Sequence, residues 1–139
     1  MSYTYEGGFM AIRSEHDLSE FLVAYTRDMV EPDEDPAEVL ARYFVPDFEY
    51  CNDGLVINRE RMLAHVRGLR KRVTPSDVGS VDVHEAVLSG DRFAVRYTLD
   101  VTTGKGGDFR SEIYMFGHLA ADGRIHRVDQ TTRDLLKKD

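Results

Sequence analysis

Arg92-Phe93-Ala94-Val95-Arg96-Tyr97-Thr98-Leu99-Asp100-Val101 is the stretch on which the fold turns. Phe93, Val95, Tyr97, Leu99 and Val101 alternate with small or polar residues at a period of two, the pattern of a strand with unlike faces. Turn residues bracket it, Ser89-Gly90-Asp91 before and the glycine-rich run Gly104 to Asp108 after, and Ala121-Asp122-Gly123 punctuates the chain further on. Gly and Asp supply the positive φ angles that hairpins need. Val81 to Thr132 therefore reads as three or four antiparallel strands joined by short turns.

Upstream, the period changes to helical. Ser14 with Asp17 three residues on opens a first helix, and Leu18, Phe21, Leu22, Tyr25 and Met29 form its apolar face. Asp35-Pro36 with Glu38 opens a second helix, carrying Val39, Leu40, Tyr43 and Phe44 and stopped by Pro46. A short strand, Asp47 to Asn52, places Phe48, Tyr50 and Asn52 on one face and Glu49 and Cys51 on the other. After the Asp53-Gly54 turn, Asn58 caps a third helix with the stripe Met62, Val66, Leu69 and Val73, ended by Thr74-Pro75. Helix, helix, strand, helix and then a run of long strands is an α+β order, with the helices on one face of the sheet. Residues 1–13 read as an N-terminal arm, and 14–139 as a single domain.

The 139 residues are enough to bury a proper core, and the net charge of −7 argues against nucleic acid and anionic membranes as partners. The basic cluster Arg67 to Arg72 reads as the wet face of a helix. A single cysteine, Cys51, precludes an internal disulfide. With no signal peptide pattern and no apolar run of membrane length, the expected location is cytoplasmic. The five histidines show no metal-ligand spacing, so no metal is expected.

Leu40-Ala41-Arg42-Tyr43-Phe44, followed by Pro46-Asp47-Phe48, and Asp122-Gly123-Arg124-Ile125 opening the last strand carry a resemblance to a known superfamily. The chain, over roughly Leu18 to Leu135, resembles the nuclear transport factor 2-like superfamily, in its SnoaL-like, limonene epoxide hydrolase and ketosteroid isomerase branches. The resemblance implies a cone: a strongly curved antiparallel sheet around an apolar cavity closed by three helices. It also implies a homodimer through the outer sheet face and cofactor-free work on a small apolar or polycyclic metabolite. Isomerase, cyclase, dehydratase and hydrolase all occur on this scaffold, as do non-catalytic ligand-binding or dimerisation modules.

Parity selects the candidate site, since a slip of one residue sends every side chain to the other face. A two-residue Asp122-Gly123 turn sets Met115 opposite Gln130 and Gly117 opposite Val128. One face then holds Ile113, Met115, Gly117, Leu119, His126, Val128, Gln130 and Thr132; the other holds Tyr114, Phe116, His118, Ile125, Arg127, Asp129 and Thr131. Across the Gly104–Asp108 turn the first face continues as Ala94, Arg96, Thr98 and Asp100. Hydrophobicity alone would send Phe93, Val95, Tyr97 and Leu99 inside. The family pattern puts Thr98, Asp100, Val128 and Gln130 there, and a dimer would then bury the apolar outer face.

On the family parity, Tyr50-Cys51-Asn52 is similar to the Tyr-x-Asn of the limonene epoxide hydrolases, and Leu99-Asp100-Val101 to the strand bearing one of their acids. The resemblance implies Asp100 as general base, with Tyr50, Asn52, Arg96, Thr98, Met115, Val128 and Gln130 binding substrate. Two departures stand against that reaction: Thr98 replaces an arginine and Gln130 replaces the second acid. On the ketosteroid isomerase pattern the base position falls on Asn52 and the oxyanion-hole acid on Met115. On the SnoaL-like cyclase pattern, Asp129 with His118 is the nearest match, but hairpin parity places both outside. Tyr25 and Tyr43 read as core, and His65 lies on the third helix beside the cavity-facing stripe.

Overall fold

A computed structural model describes residues 5–6, 9–103 and 108–135. Two short strands, β1 (Tyr5–Glu6) and β2 (Phe9–Met10), pair with each other ahead of helix α1 (Glu15–Val30). Helix α2 (Pro36–Tyr43), strand β3 (Phe44–Asn52), the short β4 (Leu55–Val56) and helix α3 (Arg59–Arg70) follow. A 3₁₀ turn (Pro75–Asp77) then leads into β5 (Val78–Ser89), β6 (Arg92–Val101), β7 (Phe109–Leu119) and β8 (Ile125–Asp134). The expected order of helix, helix, strand, helix and a run of long strands is found, with the short strands β1, β2 and β4 in addition.

Each helix starts where its cap residue sits. Ser14 accepts the Asp17 amide, Asp35 accepts that of Glu38, and Asn58 accepts that of Arg61, each satisfying an amide with no partner within the helix. Pro46 does not end α2. That helix stops at Tyr43, and the chain enters β3 directly, with Phe44 buried. The Asp53-Gly54 turn has φ of 51° and 84°, the mirror-image geometry that matches strand twist.

The main sheet has six strands in the order β4-β3-β8-β7-β6-β5. Its pairings are antiparallel except that β3 joins β8 in parallel, Tyr50 beside Val128 and Asn52 beside Gln130. The sheet is therefore mixed. The three helices pack over its inner face, and Leu18, Phe21, Leu22, Val39, Leu40, Met62 and Val66 enter the common core with Phe93, Met115 and Val128. Met10, Ala11 and Ile12 are also buried, and the Ile12 amide donates to the Gly123 carbonyl at 2.9 Å across the β7–β8 turn. Among the described residues no helix is long and apolar enough to cross a membrane.

The register corrects the expected parity on one strand. Met115 lies opposite Gln130 and Gly117 opposite Val128, as the hairpin predicts. On β6, however, Val95 pairs with Met115 and Tyr97 with Ile113, so Phe93, Val95, Tyr97 and Leu99 face inward. Ala94, Arg96, Thr98 and Asp100 face outward. The connection between β6 and β7 spans residues 102–108, an odd number, which reverses the parity an even turn would give. The Gly104–Gly107 part of that turn lies outside the described residues. Apolar burial determines the choice: Phe93, Val95 and Tyr97 are each 5% exposed or less. A second correction falls at the start of β8, where a register shift beside His118 puts Ile125 in the core and leaves His126 exposed.

Candidate binding cavity

Between helices and sheet lies a cavity of about 440 Å³, in the range of small-molecule sites. α1 contributes Tyr25, Thr26, Met29 and Val30, and α3 contributes Arg61, Met62, His65 and Leu69. Tyr50, Asn52, Tyr97, Leu99, Val101 and Gln130 come from the sheet. Met29, Met62, Tyr25, Tyr50 and Tyr97 are buried, whereas Leu55, Arg61 and His65 are exposed, so these three mark the mouth.

The inner polar groups form a chain. The Tyr50 hydroxyl donates to Gln130 Oε1 at 2.7 Å, and Gln130 Nε2 donates to Asn52 Oδ1 at 3.3 Å. Thr132 Oγ1 reaches the same Asn52 oxygen at 3.4 Å. The parallel β3–β8 pairing brings Tyr50, Asn52 and Gln130 together, because it sets their alternating positions side by side. Of Tyr50, Asn52, Thr98, Asp100 and Gln130, which the sequence reading groups in one pocket, the structure brings the first two and Gln130 together.

Three phenols converge on this space. Burial pushes the Tyr25, Tyr50 and Tyr97 hydroxyls well above the ordinary tyrosine pKa, and their mutual proximity raises those of Tyr25 and Tyr50 further. Each is neutral and able to donate at physiological pH. The Tyr25 and Tyr97 hydroxyls have no hydrogen-bond partner among the described residues, and no described side chain leaves a sealed polar atom unsatisfied. Both hydroxyls therefore open onto the cavity. The Tyr25 ring is held by Phe21, stacked at 5.2 Å, by Tyr43 edge-on and by a tilted Phe44, each of the last two at 5.6 Å. It belongs to core and cavity at once.

His65 has one edge in solvent and one against the cavity wall. Burial, helped by Arg72, lowers its pKa below the usual 6.5, so the ring is neutral at pH 7.

Several residues expected in the site lie elsewhere. Leu99 and Val101 line the cavity, so Asp100 between them points to the outer face, where it makes no ion pair among the described residues. Arg96 pairs with Glu85 and Glu112, each at 3.0 Å, and Thr98 Oγ1 meets His84 Nε2 at 2.7 Å. Asp129 is held by Arg127 at 2.9 Å on the outer face, and His118 packs edge-on against His126 there. Met115 and Val128 are buried on the inner side without lining the cavity. Among the described residues no carboxylate lines the cavity, and no cluster of His, Cys, Asp and Glu is arranged to hold a metal.

Sequence reasoning missed Tyr97, through the β6 parity, and Arg61 entirely. The signal for Arg61 was present: it stands four residues before His65 and next to Met62, on the edge of the stripe that faces the sheet.

No family model and no curated protein matches the chain. Solved structures do. AclR from Streptomyces galilaeus is 16% identical, with a TM-score of 0.64 over 86% of this chain and 78% of its own. A protein of Jannaschia sp. CCS1, assigned as a SnoaL-like polyketide cyclase, is 15% identical with a TM-score of 0.60 over 85% of this chain and 84% of its own. The de novo designed NTF2-fold protein NT-9 is 14% identical with a TM-score of 0.60, over 87% of this chain and 88% of its own. The chain has the nuclear transport factor 2-like fold. Natural and designed proteins match alike, which is a likeness of fold, and a fold does not by itself specify an activity.

Proposed function

We propose that the protein binds a small, largely apolar, ring-bearing metabolite in the cone cavity, with an oxygen of the ligand docked on the Tyr50–Gln130–Asn52 chain. One observation carries this reading: an apolar cavity of about 440 Å³ whose deep polar groups are phenols and amides, with no described carboxylate. Such walls favour a neutral, flat body, and neutral donors and acceptors orient it without a desolvated charge. Titrating 2-naphthol into ¹⁵N-labelled protein should shift amides of α1, α3 and β6 that border the cavity. Shifts confined to the outer sheet face would overturn the reading.

A second reading is a cofactor-free enzyme, and neutral His65 at the mouth favours it. With Asp100 and Asp129 on the outer face, His65 is the base available for proton transfer, and a general base contributes on the order of a hundredfold. Turnover of a bound ring ketone, abolished in His65→Gln with binding retained, would establish it. Binding without turnover in the wild type would leave the module a binder.

The homodimer through the outer sheet face rests on Phe116, Val87 and Tyr114, exposed to 64%, 54% and 40%. These replace the larger apolar patch expected from the sequence, since Phe93, Val95, Tyr97 and Leu99 face inward. Phe116→Glu should turn a dimeric mass into a monomeric one by light scattering. A monomeric wild type would exclude the dimer.

A further inference from the structure

The chain carries a net charge of −7, yet the ionisable side chains other than tyrosine that line the cavity, among the described residues, are Arg61 and His65. Both stand on α3, four residues apart and hence on one side of the helix. Around them, residues 59–72 hold Arg59, Arg67, Arg70, Lys71 and Arg72 against a single acid, Glu60. Among the described residues the full charge on the cavity lining is thus a cation, Arg61, on a helix with a basic surplus, and a cation at the mouth draws anions in.

Arg61 is also uncommitted. Arg42, Arg96, Arg124, Arg127 and Arg133 each have a carboxylate within 3.0 Å. Arg70, though cationic and nearby, gives its guanidinium to the carbonyls of Asp28, Met29 and Glu34. The Arg61 guanidinium reaches one backbone acceptor, the Val56 carbonyl, at 3.3 Å, and no ion pair among the described residues. Most of its five donors remain for a ligand, in the planar fork that suits a carboxylate.

We infer that the ligand of this cavity is an amphipathic anion, an apolar ring system whose acidic group, a carboxylate or an acidic enol, leaves through the mouth and pairs with Arg61. Two parts of the cavity lining then do different jobs. The chain of Tyr50, Gln130 and Asn52 reads a neutral oxygen, and Arg61 reads the charge, with the neutral His65 ring beside it. Arg61 becomes the residue that separates an acid from its ester or amide, which the neutral interior cannot do.

The inference rests on the binding reading above, and its test separates the two. Benzoate, 2-naphthoate and 9-anthroate are titrated calorimetrically beside their methyl esters, at low and high salt, into the wild type, Arg61→Gln and Arg61→Lys. For the ring size that fits, the acid should bind about tenfold more tightly than its ester at low salt, as a charge-assisted pair allows. Salt and Arg61→Gln should each erase that preference and leave the ester's affinity unchanged, while Arg61→Lys restores part of it. Arg61 is exposed and makes no ion pair among the described residues, so both variants should fold as the wild type does. Equal affinity for acid and ester, or an Arg61→Gln loss shared by both, overturns the anion while leaving the cavity as a binding site. No binding by any acid or ester overturns the binding reading and this inference with it.

Discussion

The ring of Phe93 lies across the Cα of Gly117, its cross-strand partner, so closely that a methyl group on Gly117 would fall within the ring. Glycine on the middle of a strand usually weakens it; here its bare backbone makes the seat for an aromatic that is 4% exposed. Gly117→Ala should therefore destabilise the fold by about 1–3 kcal/mol, as overpacking does. Phe93→Leu should cost less in the Gly117→Ala background than in the wild type. Urea denaturation of the four proteins in the cycle measures the coupling, and simple additivity would rule out the steric account.

Arg70 ties α3 to the end of α1 and the loop after it by donating to the carbonyls of Asp28, Met29 and Glu34, of which Asp28 also accepts the Glu31 amide at the helix end. Arg70→Met keeps the aliphatic stem and removes every donor. A loss of about 2 kcal/mol or more is expected from the urea midpoint. Arg70→Lys should recover only a part, because one ammonium cannot replace a planar fork. Full recovery with lysine would mean that charge alone matters.

Asp100→Asn provides a contrast with Tyr50→Phe. The first changes an outer-face residue and should alter neither stability by more than about 0.5 kcal/mol nor the affinity for a naphthol. The second removes the donor to Gln130 Oε1 and should weaken binding of a hydroxylated ligand by about five- to tenfold. Calorimetry on both variants checks the pair, and a large Asp100→Asn effect on binding would restore that carboxylate to the site.

His65 gives a pH dependence of known sign. Its folded pKa lies below the unfolded value near 6.5, so in that window the unfolded chain binds more protons. The contribution to stability is whole above pH 6.5 and is lost as pH falls through the folded value. Between pH 7 and pH 5 the denaturation midpoint of His65→Gln should drop less than that of the wild type. Carboxylates such as Glu112, whose pKa the Arg133 guanidinium holds down, act in both proteins and cancel in the comparison. Parallel curves would show that the ring is not desolvated.

Local chemistry made much of the fold legible. Ser14, Asp35 and Asn58 announced their helices, because a cap acts within three residues. The Tyr50–Gln130 meeting follows from the alternation along β3 and along β8 beyond its first residues, where the bulge no longer matters. Asp100 and Tyr97 changed places because one loop of odd length sets the phase of a whole strand, and no residue in β6 encodes that length. The alternation of Phe93, Val95 and Tyr97 states the inward face by itself, against the family pattern. Arg61 stayed hidden for another reason: a single arginine on a basic helix looks like solvated surface until its neighbours are seen to be otherwise engaged.

The three phenols around the cavity also give the molecule a built-in optical probe. The chain has seven tyrosines and no tryptophan, so its intrinsic emission comes from tyrosine, and three of the seven, Tyr25, Tyr50 and Tyr97, line the cavity wall. Anything that fills the space quenches or shifts that light directly, with no brighter indole elsewhere to mask the change. Candidate ligands can accordingly be sorted on the unlabelled protein in a plate reader, before any chemistry is assigned to them.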